Sequence, residues 1–295
     1  MTHQYFKNEF QMDNGVFILD RDDKYVANFG KQWRDHVDIQ IDSKNNFSCS
    51  QDLLENVIFS NLDFFQNKSV LEIGCGAGRF SEHIVKHAKE LVLVDLSQAI
   101  FFNVAQFEKN CTRIKADFLK LIPNQKFDIV LCRGVLQHTP SPKDSIQKLY
   151  EFVKPDGEVV FDIYPPPKVG FLSPKYFLWR PLFKNFIKYE SCEKFLINNI
   201  KTLLSAKRII RKIFFNSRFI SDCIIPVYDY QGLLDLNEKQ LEDWAILDTL
   251  DGMYAQYEYP MSYKKVHALL ESFNAAVLFS SKKFNAFRTS SRTKQ

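Results

Sequence analysis

Short apolar runs, separated by turn residues, recur along the middle of this 295-residue chain. Val70–Ile73 (VLEI), Leu91–Asp95 (LVLVD), the run RIKAD ending at Asp117, Phe127–Cys132 (FDIVLC) and GEVVFDIY ending at Tyr164 each read as a buried strand. Ser97 is a candidate N-cap for a helix over Gln98–Glu108, and a second helix is expected around Lys143–Val153. Strand, helix and strand in alternation over Ser69–Tyr164 imply a parallel sheet covered on both faces. Upstream, Leu54, Val57, Ile58, Leu62 and Phe65 recur at helical spacing and predict a helix over Gln51–Phe65. Pro165, Pro166 and Pro167 end the sheet pattern, because prolines supply no ladder donors. It resumes with a helix over Ser262–Phe273 and strands over Ala276–Phe279 and Lys283–Arg288.

The first strand runs into VLEIGCGAGRF, with glycine at 74, 76 and 78. Glycines at this spacing let the backbone turn sharply and approach a ligand closely. The helix start behind the turn offers unpaired N–H groups to negative charge. A dinucleotide fingerprint, G-x-G-x-x-G, does not fit. Counted from Gly74 its third glycine falls on Arg79, and counted from Gly76 on Ser81. No Gly-Lys-Ser/Thr follows, which excludes a phosphate-binding P-loop. The acid before the first glycine, Glu72, suits a ligand bearing an amine or a sulfonium. The stretch resembles motif I, E/D-x-G-x-G-x-G, of the class I S-adenosylmethionine-dependent methyltransferases. Within that class the core is similar to small-molecule enzymes of quinone and polysaccharide biosynthesis.

That resemblance implies a Rossmann-like α/β fold. Its sheet has seven mostly parallel strands with helices on both faces, and a helical cap precedes the last helix and the closing antiparallel strands. It implies S-adenosyl-L-methionine as cofactor. Contacts are expected from Glu72, Gly74, Cys75, Gly76 and Gly78, then from Asp95 and Leu96, where an acid accepts ribose hydroxyls. Asp117 and Phe118 match the family's adenine contacts. Cys132, Arg133 and Gln137 follow the fourth strand, and Trp33 belongs to a segment expected to fold over the cofactor mouth. The expected organisation is an N-terminal arm over residues 1–48, a core over 49–164 and 260–290, a helical cap or lid over 165–259 and a tail over 291–295.

Net charge is only +4, but it is unevenly spread. Lys168–Arg218 carries twelve Lys or Arg against Glu190 and Glu193, and Asp222–Glu258 carries nine acids against Lys239. In the basic part, Leu196, Ile200, Leu203, Ile210 and Phe214 recur at helical spacing, and Lys194, Lys201 and Arg208 lie on another face. This reads as a surface for an anionic membrane or polyanion through residues 168–218. Two other readings stay open: a cap with solvated charges, and an acidic stretch that folds back to neutralise the basic one. Trp244, Asp248 and Tyr254, in LEDWAILDTLDGMYAQYEYP, are candidates for an acceptor pocket or for lid packing.

The six cysteines are scattered without a C-x-x-C pair, so no metal site is expected. No apolar run approaches the ~18 residues of a membrane span. A cytoplasmic protein, peripheral to a membrane at most, is expected. His138 lies just beyond the fourth strand, at the carboxyl edge of the sheet where ligands bind. It is the candidate base, since histidine titrates near neutrality; its alternative role is to orient the loop. The Asn/Asp-Pro-Pro-Tyr motif of exocyclic-amine enzymes is absent, Cys132-Arg133-Gly134-Val135 standing in its place. Leu131 precedes Cys132 where pyrimidine C5 enzymes have proline. The sequence therefore points to methyl transfer, at oxygen, to a small or lipid-linked metabolite such as a sugar or sugar-nucleotide intermediate. The alternatives are a non-catalytic scaffold of methyltransferase type and, less favoured, a nucleic-acid methyltransferase.

Overall fold

The computed structural model describes residues 1–22, 39, 41–45, 48–167, 173–233 and 236–291. The chain divides into two compact units, residues 1–166 with 257–295, and residues 167–256.

The first unit is built on strands. β1 (Thr2–His3) and β2 (Phe6–Glu9) form a hairpin apart from the main sheet. β3 (Gln11–Asp13), β4 (Val16–Ile18), β5 (Ser69–Ile73), β6 (Glu90–Asp95), β7 (Cys111–Lys115) and β8 (Phe127–Cys132) enter the main sheet. β9 (Val153–Asp162), β10 (Ala276–Ser281) and β11 (Ala286–Ser290) complete it. The order is β10-β11-β9-β8-β5-β6-β7-β4-β3. Pairing is parallel from β4 to β9 across the middle and antiparallel at both ends.

The sheet thus has nine strands, where seven are expected from the sequence. The extra pair, β3 and β4, has three residues per strand, too few to show an alternating pattern. Its turn does carry a signal: Asn14 and Gly15 both adopt positive φ, 46° and 72°, as two-residue hairpins require. A second departure is the helix expected over Gln98–Glu108. It is two 3-10 turns, Gln98–Phe102 and Val104–Phe107, divided at Asn103. The buried Asn103 side chain caps the second turn by accepting from Ala105 N, which draws the backbone out of helix.

Each central strand buries both faces, as alternation along a strand requires. Leu71 and Ile73 pack into one core with Val92, Val94, Val130 and the helix Tyr263–Ser272. Val70 packs into the other with Leu91, Leu93, Ile129 and the helix Cys49–Ile58. β5 lies between β6 and β8, so the chain leaves it first in one direction and later in the other. Such a reversal opens a crevice at the carboxyl ends of the strands. The glycine turn, Asp95 and the loop holding His138 all follow those ends.

The second unit is helical: Arg180–Phe186, Tyr189–Ile213, Arg218–Ile224 and Glu238–Tyr254. Cys192, Leu196, Ile200 and Leu204 line the buried face of the long helix and meet Ala245, Ile246 and Leu250. Phe214, spaced for that face, is exposed just past the helix end. Acids beyond Asp222 return to part of the basic segment. Lys207 pairs with Asp222, Arg208 with Asp229 and Glu238, and Arg211 with Asp229. Among the described residues, no helix is long and apolar enough to cross a membrane.

Candidate functional site

The site begins at Glu72, which alternation turns to the same side of β5 as Val70. Its carboxyl is 3% exposed and accepts a hydrogen bond from Ser81 Oγ at 2.6 Å. Burial pushes its pKa up to about 8; the Ser81 bond opposes the rise and the nearby Asp95 charge adds to it. Asn103 Nδ2 donates to Ser81 Oγ at 3.3 Å and to the Gly76 carbonyl at 3.2 Å. Gly76 N donates to Asp95 Oδ2 at 2.7 Å, and Ser97 N to Asp95 Oδ1 at 2.8 Å. A continuous polar chain thus runs from Glu72 through Ser81, Asn103 and Gly76 to Asp95. Burial also raises the Asp95 pKa, against the hydrogen bonds from Ser97 and Gly76.

Glycine is required in this turn by packing as well as by a ligand. Gly74 has φ +73°, and a Cβ there would lie 2.0 Å from Val135 Cγ2. Gly78 has φ +102° and would place a Cβ 2.6 Å from Asn103 Oδ1. The loops after β5 and β8 can meet only because Gly74 has no side chain. Gly74→Ala is expected to destabilise the chain by roughly 2–4 kcal/mol, summing left-handed strain and overpacking. Urea unfolding of parent and variant measures it.

On the adjoining loops, Asp117 caps the turn Phe118–Lys120 through Leu119 N and donates its own N–H to Asp20 Oδ2 at 3.0 Å. Phe118 and Leu96 are buried. Cys75 and Cys132 are buried thiols whose pKa burial raises well above the ordinary range, which disfavours the nucleophilic thiolate. Cys132 lies within a core cluster and can offer a ligand only its main chain. Arg133 Nε donates to Asp162 Oδ2 at 3.0 Å, and its guanidinium lies 4.8 Å from the Phe80 ring centroid. Asp162 also accepts from Gly134 N. Gln137 accepts from Tyr259 N through its carbonyl and, weakly, from Tyr164 N through Oε1. Two buried donors on this loop, Arg133 Nη1 and Gln137 Nε2, have no hydrogen-bond partner among the described residues.

His138 Nδ1 lies 3.0 Å from the Tyr257 carbonyl oxygen. A carbonyl only accepts, so Nδ1 carries a proton and Nε2 is the nitrogen left to accept one. The Tyr164 ring meets the imidazole edge-on at 5.7 Å.

The structure gathers Glu72, the glycines, Asp95 and the loop from Arg133 to His138 at one end of the sheet. It places Trp244, Asp248 and Tyr254 in the helical unit, all on the helix Glu238–Tyr254. There Asp248 accepts from the Tyr230 hydroxyl, Tyr254 donates to the Ile187 carbonyl, and Trp244 is buried beside Tyr230. Trp33 lies outside the described residues.

The sequence reading omits Ser81, Asn103 and Asp162, polar residues inside apolar elements whose partners come from distant segments. It also omits a buried trio. His83 Nε2 lies 3.2 Å from Asp42 Oδ2 and 3.5 Å from Glu82 Oε1. Both Asp42 oxygens already accept backbone N–H groups, from Ser50 and Gln51, so the trio ties down the start of the helix Cys49–Ile58.

Residues 49–191 match the model of a family described as methyltransferase domain. A ubiquinone biosynthesis O-methyltransferase of Coxiella burnetii (strain RSA 493 / Nine Mile phase I) is 30% identical over 101 residues, covering 32% of this chain and 43% of the relative. The enzyme of the same name from Pseudomonas putida (strain GB-1) gives the same identity and coverage. The chain thus spans less than half the length of these curated relatives. Among solved structures, a magnesium protoporphyrin IX methyltransferase from Synechocystis PCC 6803 with bound S-adenosylhomocysteine is similar at 14% identity. That match covers 90% of this chain and 95% of the other, with a TM-score of 0.46.

Proposed function

We propose, from the match of residues 49–191 to a methyltransferase-domain family model, that the chain methylates a small-molecule acceptor, at oxygen, using S-adenosylmethionine. The acceptor class proposed is a sugar or sugar-nucleotide intermediate, free or lipid-linked. The observation that carries the reading is the hydrogen-bonded chain from Glu72 to Asp95 that fixes the glycine turn.

The residues present fit the cofactor. The unpartnered donors Arg133 Nη1 and Gln137 Nε2 suit its carboxylate. Glu72, which burial holds protonated in the ligand-free fold, would ionise beside the cofactor's cationic end, and Asp95 suits the ribose hydroxyls. When bound, S-adenosylmethionine supplies a methyl group already activated on a sulfonium sulfur. The chain's own work is then to orient the acceptor, exclude water and accept a proton. Positioning of this kind lowers barriers by up to roughly 7–11 kcal/mol in well-oriented systems. For a hydroxyl acceptor, His138 Nε2 takes the proton while Nδ1–H stays anchored on the Tyr257 carbonyl. The O-methyltransferase names of the curated relatives support oxygen as the acceptor atom.

The test follows label from methyl-labelled S-adenosylmethionine into hydroxyl-bearing and amine-bearing acceptors. His138→Asn keeps a donor at the Nδ1 position for the Tyr257 carbonyl but removes the base. Its kcat is expected to fall by roughly 10²–10⁴-fold, with affinity for S-adenosylhomocysteine unchanged. An unchanged kcat would remove His138 from the chemistry. Label that enters only amines would move the acceptor atom to nitrogen.

A further inference from the structure

The turn that joins the helices Tyr189–Ile213 and Arg218–Ile224 holds side chains where water should disfavour them. Phe215 is 98% exposed, and Ile213, Phe214 and Phe219 are exposed beside it. Phe215 and Asn216 both take left-handed backbone, φ 52° and 61°. That conformation suits asparagine and is a steric outlier for a bulky residue. The turn's backbone is closed by hydrogen bonds from Asn216 N to the Arg211 carbonyl and from Ser217 N to the Phe214 carbonyl, so Phe215 sits in the left-handed end of the long helix with a fully hydrated ring. Contiguous exposed apolar surface of this kind marks an interaction site.

The flanks carry charge. Lys212 and Arg218 border the turn, and neither makes an ion pair among the described residues, unlike Lys207, Arg208 and Arg211. The long helix adds further exposed apolar side chains, separated on its outward stripe by Asn198 and Thr202. Ile209 lies one turn before Ile213 and Phe195 five turns before it, on the same outward stripe, with exposed Lys194 and Lys201 alongside. Aromatic and aliphatic tips set among unpaired cations match the boundary of an anionic bilayer, where rings enter the acyl region and cations meet the head groups. A second copy of the chain fits less well, because a two-fold contact at this turn would bring Lys212 and Arg218 against their own equivalents.

We propose that the turn Ile213–Phe219 is an insertion tip that seats the chain on an anionic membrane surface. Docking of this kind does not depend on the methyl-transfer reading, although it would bring the chain to a lipid-linked acceptor.

The experiment is flotation of the full chain with vesicles of phosphatidylcholine alone, and with vesicles containing phosphatidylglycerol as well. The parent chain is expected to float with the anionic vesicles and not with the neutral ones. Phe215→Asn removes the ring at a position whose backbone suits asparagine, so thermal stability is retained or raised. Combined with Phe219→Ser it is expected to weaken vesicle binding by about tenfold or more, as withdrawal of aromatic side chains from an apolar phase implies. Lys212→Glu with Arg218→Glu is expected to abolish the preference for anionic vesicles. A parent chain that stays in solution with both vesicles, or a Phe215→Asn/Phe219→Ser variant that floats like the parent, overturns the proposal. So does a parent dimer in solution that Phe215→Asn converts to monomer, which would assign the tip to a second copy.

Discussion

Replacing Glu72 with glutamine should make the chain more stable at pH 8 and leave it nearly unchanged at pH 4.5. The Glu72 carboxyl is buried in the sheet core and its folded pKa lies near 8, against 4.5 for an ordinary glutamate. Below pH 4.5 both folded and unfolded chains hold the proton. Between 4.5 and 8 the unfolded chain is ionised and the folded chain is not, so unfolding releases a proton. Stability then falls as pH rises through that window, by at most about 1.4 kcal/mol per pH unit, and levels off above it. The accumulated loss is on the order of 3–4 kcal/mol by pH 8. Glutamine carries no proton to release and can still accept the Ser81 hydroxyl. Other carboxyls, Asp95 and Asp162 among them, are raised by burial and slope the same way, but they are common to parent and variant. Urea unfolding at pH 5 and pH 8 separates them. The difference between the two chains should grow by about 3 kcal/mol across that interval; a pH-independent difference would mean that Glu72 is ionised in the fold. Such a cost is retained where a site needs the group, and the same variant should bind S-adenosylhomocysteine more weakly.

Asp95→Ala should lower affinity for S-adenosylhomocysteine by about a hundredfold or more. Both carboxylate oxygens hold main-chain donors, Gly76 N at 2.7 Å and Ser97 N at 2.8 Å. Hydrogen bonds to a charged group contribute roughly 1.5–3 kcal/mol each. The variant loses the partner that pins the middle glycine, and it loses the acceptor proposed for the ribose. Asp95→Asn keeps one acceptor oxygen and should fall between parent and alanine. Stability should change far less than affinity, because removal of a carboxylate whose ionisation burial disfavours offsets part of the loss. Calorimetric titration beside thermal unfolding separates the two effects. Parental affinity in Asp95→Ala would place the ligand elsewhere.

The central sheet is legible in sequence because β5, β6 and β8 are continuous apolar runs, and buried parallel strands have no other signature. Glu72, the glycines and Asp95 are legible because their spacing along the chain corresponds to their position at the strand ends. What sequence conceals is partnership. Ser81 and Asn103 hold the glycine turn from positions 81 and 103, and neither residue type signals such a role. Asn103 also breaks the helix that its neighbours favour. β3 and β4 escape detection because three residues are too few for periodicity, although Asn14-Gly15 marks their turn. The fold-back of Asp222, Asp229 and Glu238 onto Lys207, Arg208 and Arg211 can be suspected from charge alone. Which cations it leaves unpaired, Lys212 and Arg218 among them, emerges only in three dimensions.

The claim on which the rest depends is that the turn Gly74–Gly78 and Asp95 form an adenosyl-cofactor site. Titration of the unmodified chain with S-adenosylhomocysteine tests it directly, with S-adenosylmethionine and adenosine as companions. Saturable one-to-one binding is expected, tighter than for adenosine, with a rise in melting temperature that Asp95→Ala abolishes. The absence of both heat and thermal shift at saturating ligand would contradict it.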